Sequence, residues 1–217
     1  MSIKSIFQDI ADAIKEKDTS ISSLTPSQMP DAIRGISGGI TKVYDDYAQV
    51  TSDYIDLPFY INADYKITYT FKLDSYVSDQ HALGSTGGST RLHLTQYNNM
   101  WYTSSGSSEV NFTGYGLTDK HTFVNNDNGS NYMDGDIVSS YTPITLSSAR
   151  LQLGRRVSGT MTGRIYEFII ESISTGDILY HLRPCKIMDN DTTILSGLID
   201  DISGEFVSIL PTYNETT

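Results

Sequence analysis

The sequence predicts a mainly β protein, an antiparallel sandwich or jelly roll, preceded by a short α-helical segment. Apolar residues recur at three- and four-residue intervals up to residue 36, and at alternate positions after residue 40. Only 19% of the 217 residues are charged, whereas Tyr alone contributes 15. Tyrosine-rich, weakly charged composition is typical of exposed sheet surface with polar loops. Many short candidate strands follow one another without intervening helices, which favours a sandwich over an α/β fold.

Residues 1–36 form the predicted helical segment, which we assign to assembly or attachment. A helix is expected from residue 2 to residue 17, with Ser2 as its N-cap. A single isolated helix would leave much of its apolar face in contact with water. We therefore expect that face to pack against copies of itself or against a partner protein. Its members are Ile3, Ile6, Phe7, Ile10 and Ile14.

A Gly-rich hinge at residues 37–41 connects this segment to the β domain predicted for residues 42–217. The clearest strand covers residues 66–73, where apolar Ile, Tyr, Phe and Leu alternate with Lys and Thr. The other predicted strands are Val43–Tyr47, Tyr54–Leu57, Arg91–Tyr97, Met100–Thr103, His121–Asn125, Ala149–Gly154, Gly163–Ser172, Ile178–Arg183 and Phe206–Pro211. Turns are predicted at Gly84–Ser89, Ser104–Ser108 and Asn125–Asn131, among others.

Charge and cysteine content exclude several classes of protein. The chain has 15 Lys and Arg against 26 Asp and Glu, a net charge of −11, which argues against binding to nucleic-acid backbones. The one cysteine, Cys185, excludes a disulfide framework. No apolar stretch is long enough to insert into a membrane, and Asp9 and Asp12 interrupt the N-terminal apolar positions where a signal peptide would be continuous.

Paired carboxylates were weighed because β-sandwiches can carry glycoside hydrolases. Glu167 and Glu171 share one face of a predicted strand but lie roughly 13 Å apart, whereas glycosidases need about 5.5 to 9.5 Å. We expect both to face solvent, while Tyr166, Phe168 and Ile170 face the core. Since no serine elbow occurs either, we predict that the protein is not an enzyme and has no catalytic residues. Glu109 and Asp119, whose segments could pair as a hairpin, are the remaining carboxylate pair.

No cofactor is predicted, because the four histidines, His81, His93, His121 and His181, are not at metal-ligand spacing. Two acidic clusters keep calcium open as an alternative, since adjacent Asp and Asn turns can supply several oxygen ligands. Asx-rich turns also occur for backbone reasons alone. The clusters are Asp127-Asn128-Gly129 with Asp134 and Asp136, and Asp189-Asn190-Asp191.

Four aromatic residues form the candidate glycan-binding set: Tyr97, Trp101, Tyr102 and Tyr115. They lie near Asn98, Asn99 and several serines. Aromatic faces stack on the C–H face of a sugar ring, while amides and hydroxyls bind its hydroxyl groups. The alternative is that Trp101 and some of the tyrosines fill the core of the sandwich.

Two stretches resemble protein families. Residues 10–17 and 24–36, with the motif Thr25-Pro-Ser-Gln-Met-Pro-Asp-Ala-Ile33, resemble a segment of bacteriophage tail, baseplate and fibre proteins, with Gln28 in place of the usual acid. Residues 53–57, 163–170 and 182–185 resemble the concanavalin A-like, laminin-G-type jelly roll found in phage proteins. So does the closing block Gly197-Leu-Ile-Asp-Asp-Ile-Ser-Gly-Glu-Phe206, which has the family's G-x-x-D-x-x-S/T-G-x-F pattern.

The resemblance implies a virion structural protein: a tail fibre, baseplate or head-fibre component whose jelly roll is displayed for host attachment. It implies as partners other copies of the chain, with a homotrimer as the first guess, other virion proteins, and a host surface glycan. The catalytic acid motif of the related glucanases does not occur in this sequence. The alternatives are a lectin-like carbohydrate-binding module outside a virion and, as a third class, a glycoside hydrolase.

Overall fold

The computed structural model describes residues 11–12, 40–51, 54–86, 91–106, 108–143, 145–156, 159–189 and 192–208. The chain divides into two compact units: residues 1–43 with 187–194, and residues 44–186 with 195–217. In the first unit Ala11 and Asp12 are helical, and Ala11 is buried. The apolar face Ile3, Ile6, Phe7, Ile10 and Ile14 lies outside the described residues. Ile40 and Thr41, assigned to the hinge from the sequence, belong to a strand.

The described residues are mainly β-strand, as the sequence predicts. The strands are β1 (Ile40–Tyr44), β2 (Ala48–Thr51), β3 (Ile55–Ile61), β4 (Tyr65–Leu73), β5 (Gln80–Ser85), β6 (Arg91–Tyr97), β7 (Met100–Gly106), β8 (Ser108–Phe112), β9 (Lys120–Asp127), β10 (Ser130–Met133), β11 (Asp136–Ser140), β12 (Leu146–Leu153), β13 (Arg155–Arg156), β14 (Gly159–Thr160), β15 (Thr162–Ser172), β16 (Ile178–Asp189), β17 (Thr192–Asp200) and β18 (Phe206–Ser208).

These strands form two main antiparallel sheets. In the larger sheet the order is β11-β10-β9-β4-β15-β16-β17-β18, with β1 paired to β16 and β2 paired to β15. In the smaller sheet the order is β3-β12-β5-β6-β7-β8. Strands β13 and β14 pair with each other as a separate ribbon.

Side chains from both main sheets form one hydrophobic core, an arrangement consistent with a β-sandwich. The larger sheet contributes alternate residues of β4, which include the fully buried Tyr69 and Phe71. The smaller sheet contributes Leu94 of β6 and Trp101 of β7. The rings of Phe71 and Trp101 meet edge to face with centroids 5.5 Å apart, which joins the two sheets at the centre of the core.

A β-bulge in β15 changes which residues face the core. The pairing with β4 shifts between Ile165 and Glu167, so Tyr166 is an extra residue in the strand. Ile165, Phe168 and Ile170 are buried, whereas Tyr166 and Glu167 both lie on the outer face. The prediction was correct for Phe168, Ile170 and the outward Glu167 and wrong for Tyr166, because strict alternation does not anticipate an inserted residue.

Strand β5 was missed by the sequence analysis, which placed a turn at Gly84–Ser89. All six residues of β5 are buried, including the polar Gln80 and His81. A strand buried on both faces has no alternation of polar and apolar residues to reveal it. The turns predicted at Ser104–Ser108 and Asn125–Asn131 are also shorter than expected, since β7 and β9 extend into them.

The turn within the closing block of residues 197–206 accounts for the aspartate and the second glycine of its sequence pattern. The Asp200 carboxylate accepts hydrogen bonds from the backbone N–H groups of His181, Ile202 and Ser203. Burial of Asp200 opposes its ionisation, but these hydrogen bonds outweigh burial and lower the pKa of its carboxyl group. Gly204 follows at a φ of 73°, a conformation that favours glycine, and the chain then returns as β18.

Replacing Phe168 with Ala should lower the free energy of unfolding by about 3–5 kcal/mol, because it removes a fully buried ring and leaves a cavity. Replacing Tyr166 with Ala should cost less than about 1.5 kcal/mol, since its ring is half-buried on the outer face. Urea denaturation of the two variants measures the difference. Equal losses would contradict the bulge and would restore simple alternation along β15.

Candidate functional site

A shallow groove of about 300 Å³ lies on the outer face of the smaller sheet. Thr95, Tyr102 and Asn111 are direct cross-strand neighbours on β6, β7 and β8, so their side chains share one face. Their sequence neighbours Leu94, Trp101 and Phe112 point the opposite way, into the core. The residues that line the groove are Asp79, Thr95, Tyr97, Asn98, Met100, Tyr102 and Asn111.

A two-residue turn positions one end of the groove. Asn98 and Asn99 have φ angles of 49° and 60°, the left-handed conformation that asparagine tolerates and that tight hairpins require. Tyr97 and Met100 are the paired residues that close the hairpin. The backbone N–H of Asn99 donates to the Tyr76 hydroxyl over 3.0 Å, which ties the turn to the preceding loop. Tyr97 therefore stands at a fixed point, with half of its surface (50%) exposed.

Two buried histidines support the floor of the groove. The Tyr102 ring stacks on the ring of His93 at 5.3 Å with an angle of 11°, and His93 meets His81 edge to face. His81 Nε2 lies 3.2 Å from an oxygen of Asp79. Burial lowers the pKa of His81, although the Asp79 carboxylate opposes that shift, so the ring is neutral at pH 7.

Asp79 reaches the groove from a different part of the chain. Its φ of 69° places it in the left-handed region, and its N–H donates to the carbonyl of Gln96 over 2.8 Å. With His81 beside it, the exposed carboxylate is held as a hydrogen-bond acceptor at the edge of the groove. The groove thus combines tyrosine rings with amide groups and one carboxylate, groups that stack on and hydrogen-bond to a polyhydroxylated ring.

The four predicted aromatic residues do not form one surface. Tyr97 and Tyr102 line the groove together, but Trp101 is only 1% exposed and packs against Phe71 and His121. Tyr115 is half-buried against Phe112, and its hydroxyl donates to Asp136 over 3.4 Å. Adjacent strand residues point to opposite faces, which is why Trp101 and Tyr102 cannot both contact a ligand.

His121 organises the loop that precedes β9. Its Nδ1 lies 2.7 Å from Asp134 and its Nε2 lies 2.6 Å from the carbonyl oxygen of Gly116. Both ring nitrogens therefore have a hydrogen-bonding partner, and the two contacts fix the orientation of the buried imidazole ring. Asp134 also accepts the backbone N–H of Thr122. Through these contacts His121 connects the loop to the β10–β11 turn, which is a structural role.

The acidic residues of the alternative calcium clusters contact other side chains of the protein or lie outside the described part of the chain. Asp134 binds His121, Asp136 accepts from Tyr115, and Asp127 accepts from the side chain of Asn128 in the turn after β9. Asn190 and Asp191 of the second cluster are not among the described residues. Across the described residues, no three His, Cys, Asp or Glu side chains are grouped as metal ligands.

The carboxylates considered as candidate catalytic pairs do not lie together either. Glu167 lies 2.9 Å from His181 and Glu171 lies 3.1 Å from Lys66, both on the outer face of the larger sheet. Glu109 and Asp119 do not share a hairpin, because β8 pairs with β7 whereas β9 pairs with β4 and β10. Cys185 is buried. Within the described ranges, no helix is both long and apolar enough to cross a membrane.

Sequence reasoning missed Asp79, Thr95, Met100 and Asn111 as groove residues. They come from four segments that meet only through cross-strand pairing, so no local motif unites them. The Asn98-Asn99 pair was the available signal, since consecutive asparagines between two strands indicate a tight hairpin. Side chains alternate between the two faces of a strand. Counting outward from that turn along both strands would have placed Tyr97, Thr95 and Tyr102 on one face.

Comparison with known proteins does not assign the groove. No protein-family model matches this chain, and no curated protein matches it. Any function proposed for the groove therefore rests on the chemistry of the residues that line it.

Replacing Trp101 with Ala should lower the free energy of unfolding by about 3–5 kcal/mol, because the indole fills the core between Phe71 and His121. The adjacent substitution Tyr102→Ala should cost less, since its ring lies on the outer face. Chemical denaturation followed by circular dichroism compares the two variants. A Trp101→Ala protein as stable as the wild type would mean that the β7 register is shifted by one residue.

Proposed function

We propose that this protein is a bacteriophage virion structural protein, an appendage of the tail-fibre, baseplate or head-fibre type, whose concanavalin A-like jelly roll binds a host glycan in the Tyr97–Tyr102 groove. The observation that carries the binding function is the composition of that groove: an exposed tyrosine ring beside asparagine amides and a carboxylate. These groups match the two kinds of surface that a sugar ring presents.

The rigidity of the groove supports recognition of a specific ligand. Tyr97 is held by a tight turn, Tyr102 by stacking on His93, and Asp79 by its neighbour His81. Side chains that are ordered before binding lose less entropy when the ligand arrives. An exposed, shallow groove of this size suits one or two sugar units at the end or side of a longer glycan.

Binding without hydrolysis follows from the same lining. Asp79 is the one carboxylate among the described groove residues, whereas both retaining and inverting glycosidases use two. The Glu167 and Glu171 carboxylates lie on the other sheet, where Glu167 contacts His181 and Glu171 is paired with Lys66. These observations support an attachment function and argue against the glycoside hydrolase alternative.

The virion assignment rests on the resemblances at the two ends of the chain. Residues 10–17 and 24–36 resemble a segment of phage tail, baseplate and fibre proteins. The closing block of residues 197–206 has the pattern of the phage jelly rolls, and its Asp200 and Gly204 both shape the turn before β18. Two antiparallel sheets around one core are the architecture that this assignment requires.

Replacing Tyr97 with Ala should weaken binding to any glycan that the wild-type protein retains on a glycan array, by about tenfold or more, because the stacking face is lost. The matched control is Tyr60→Ala, since Tyr60 is a comparably exposed tyrosine on β3 of the same sheet and lies outside the groove. Calorimetric titration with the best glycan of the array measures both affinities. Absence of binding to every glycan, or equal loss in both variants, would refute the assignment of the groove.

Replacing Ile6 and Ile10 with Asp should dissociate the oligomer while the β domain stays folded, because charges would replace the expected apolar contacts between chains. Light scattering gives the mass and circular dichroism reports the fold. Ser5→Asp and Gln8→Asp, changes between the apolar positions, serve as the control. A wild-type monomer would favour the free lectin-like module over a virion appendage, and an unchanged oligomer would place the contacts in the β domain.

A further inference from the structure

A row of three cations crosses the outer face of the larger sheet. Lys72 on β4 stands directly opposite Lys120 on β9, and on its other side it stands directly opposite Arg164 on β15. We call Lys120, Lys72 and Arg164 the cation row. Because neighbouring strands lie about 4.8 Å apart, the row spans about 10 Å in a straight line. Gln49, opposite Arg164 on β2, extends it with an amide.

Stability does not account for the cation row. Like charges directly opposite each other on neighbouring strands are destabilising. Lys72 forms no ion pair with any described residue, although the chain as a whole carries a net charge of −11. Lys66, on the same face of β4, shows the usual arrangement, because it is neutralised by its cross-strand partner Glu171 at 3.1 Å.

Neighbouring side chains hold the two ends of the row in place. Lys120 Nζ lies 4.1 Å from the centre of the Tyr166 ring, and the Arg164 guanidinium lies 4.6 Å from that of Tyr47. Asp74 contacts Arg164 at 3.4 Å and accepts from the Gln49 amide at 2.7 Å. Each ring has one face covered by a cation, so the site presents positive charge in preference to a stacking surface.

Polar hydroxyl groups lie beside the row. Thr70 and Thr122, the next outward residues of β4 and β9, are joined by a hydrogen bond of 3.0 Å between their side chains. A ligand lying along the row would therefore meet charges first and hydroxyl groups next to them. Acidic sugars combine carboxylates with hydroxyl groups in this manner, whereas a nucleic-acid strand would need stacking faces and a more extended basic surface.

We infer that the cation row is a second binding site, for an acidic polysaccharide whose carboxylates lie against Lys120, Lys72 and Arg164. This site is on the opposite sheet from the Tyr97–Tyr102 groove and does not depend on the function proposed for that groove. The ligand is recognised by its negative charge, so binding weakens as salt screens the interaction. A neutral polysaccharide has no group that the row would attract.

Affinity electrophoresis of the full chain in native gels tests this site, with polygalacturonate as the probe and dextran as the neutral control. Wild-type protein should be retarded by polygalacturonate at low salt and not by dextran. The double variant Lys72→Gln/Lys120→Gln should bind at least about tenfold more weakly. Lys66→Gln, which removes a lysine from the same face of the same strand, should bind within about twofold of the wild type, and so should Tyr97→Ala.

Thermal unfolding separates this role from a structural one. The double variant removes two like charges that face each other on neighbouring strands. Its melting temperature should therefore be equal to or above that of the wild type. A clear fall in melting temperature would show that the row serves the fold. The proposal is overturned if polygalacturonate does not retard the wild type, if Lys66→Gln loses as much affinity as the double variant, or if oligo(dT) binds more tightly than polygalacturonate.

Discussion

The edge-to-face packing of Phe71 against Trp101 is the contact on which the rest of the structure depends. It lies where the two sheets face each other, and both rings are almost completely buried. Because side chains alternate along a strand, an inward Trp101 requires an outward Tyr102, and an inward Leu94 requires an outward Thr95. The core thus determines the outer surface as well: the groove residues have their positions because their neighbours are anchored between the sheets.

The buried ring of His121 connects a loop to this same core. Its ring packs edge to face against Trp101 while its two nitrogens bind Asp134 and the Gly116 carbonyl. A buried polar ring is stable only when its nitrogen atoms have hydrogen-bonding partners. The loop before β9 and the turn after β10 are therefore coupled to the centre of the core through one side chain. Asp134, which the sequence offered as an alternative calcium ligand, therefore has a structural partner in His121.

The two-residue alternation of apolar side chains and the overall composition were sufficient to predict a mainly β fold, because most core strands expose one polar face. The strand at residues 66–73 was predicted almost exactly as β4 from its alternation alone. Strand β5 was not, since both of its faces are buried, and Tyr166 was misplaced because a bulge inserts one residue without changing the local composition. The candidate groove was half predicted: Tyr97 and Tyr102 are outward positions on the two strands of one hairpin, whereas Asp79 joins them through strand pairing that no local pattern encodes.

The bulge in β15 also bears on how this surface can diversify. It separates the strand into two stretches whose alternation is set independently, one ending at Ile165 and the other beginning at Glu167. Tyr166, the inserted residue, supplies the ring over which Lys120 lies, yet it contributes nothing to the buried core. Mutation at this position can therefore alter the outer face of the sheet without disturbing the packing beneath it. At this one inserted residue, the chemistry of the surface can change independently of the residues that stabilise the fold.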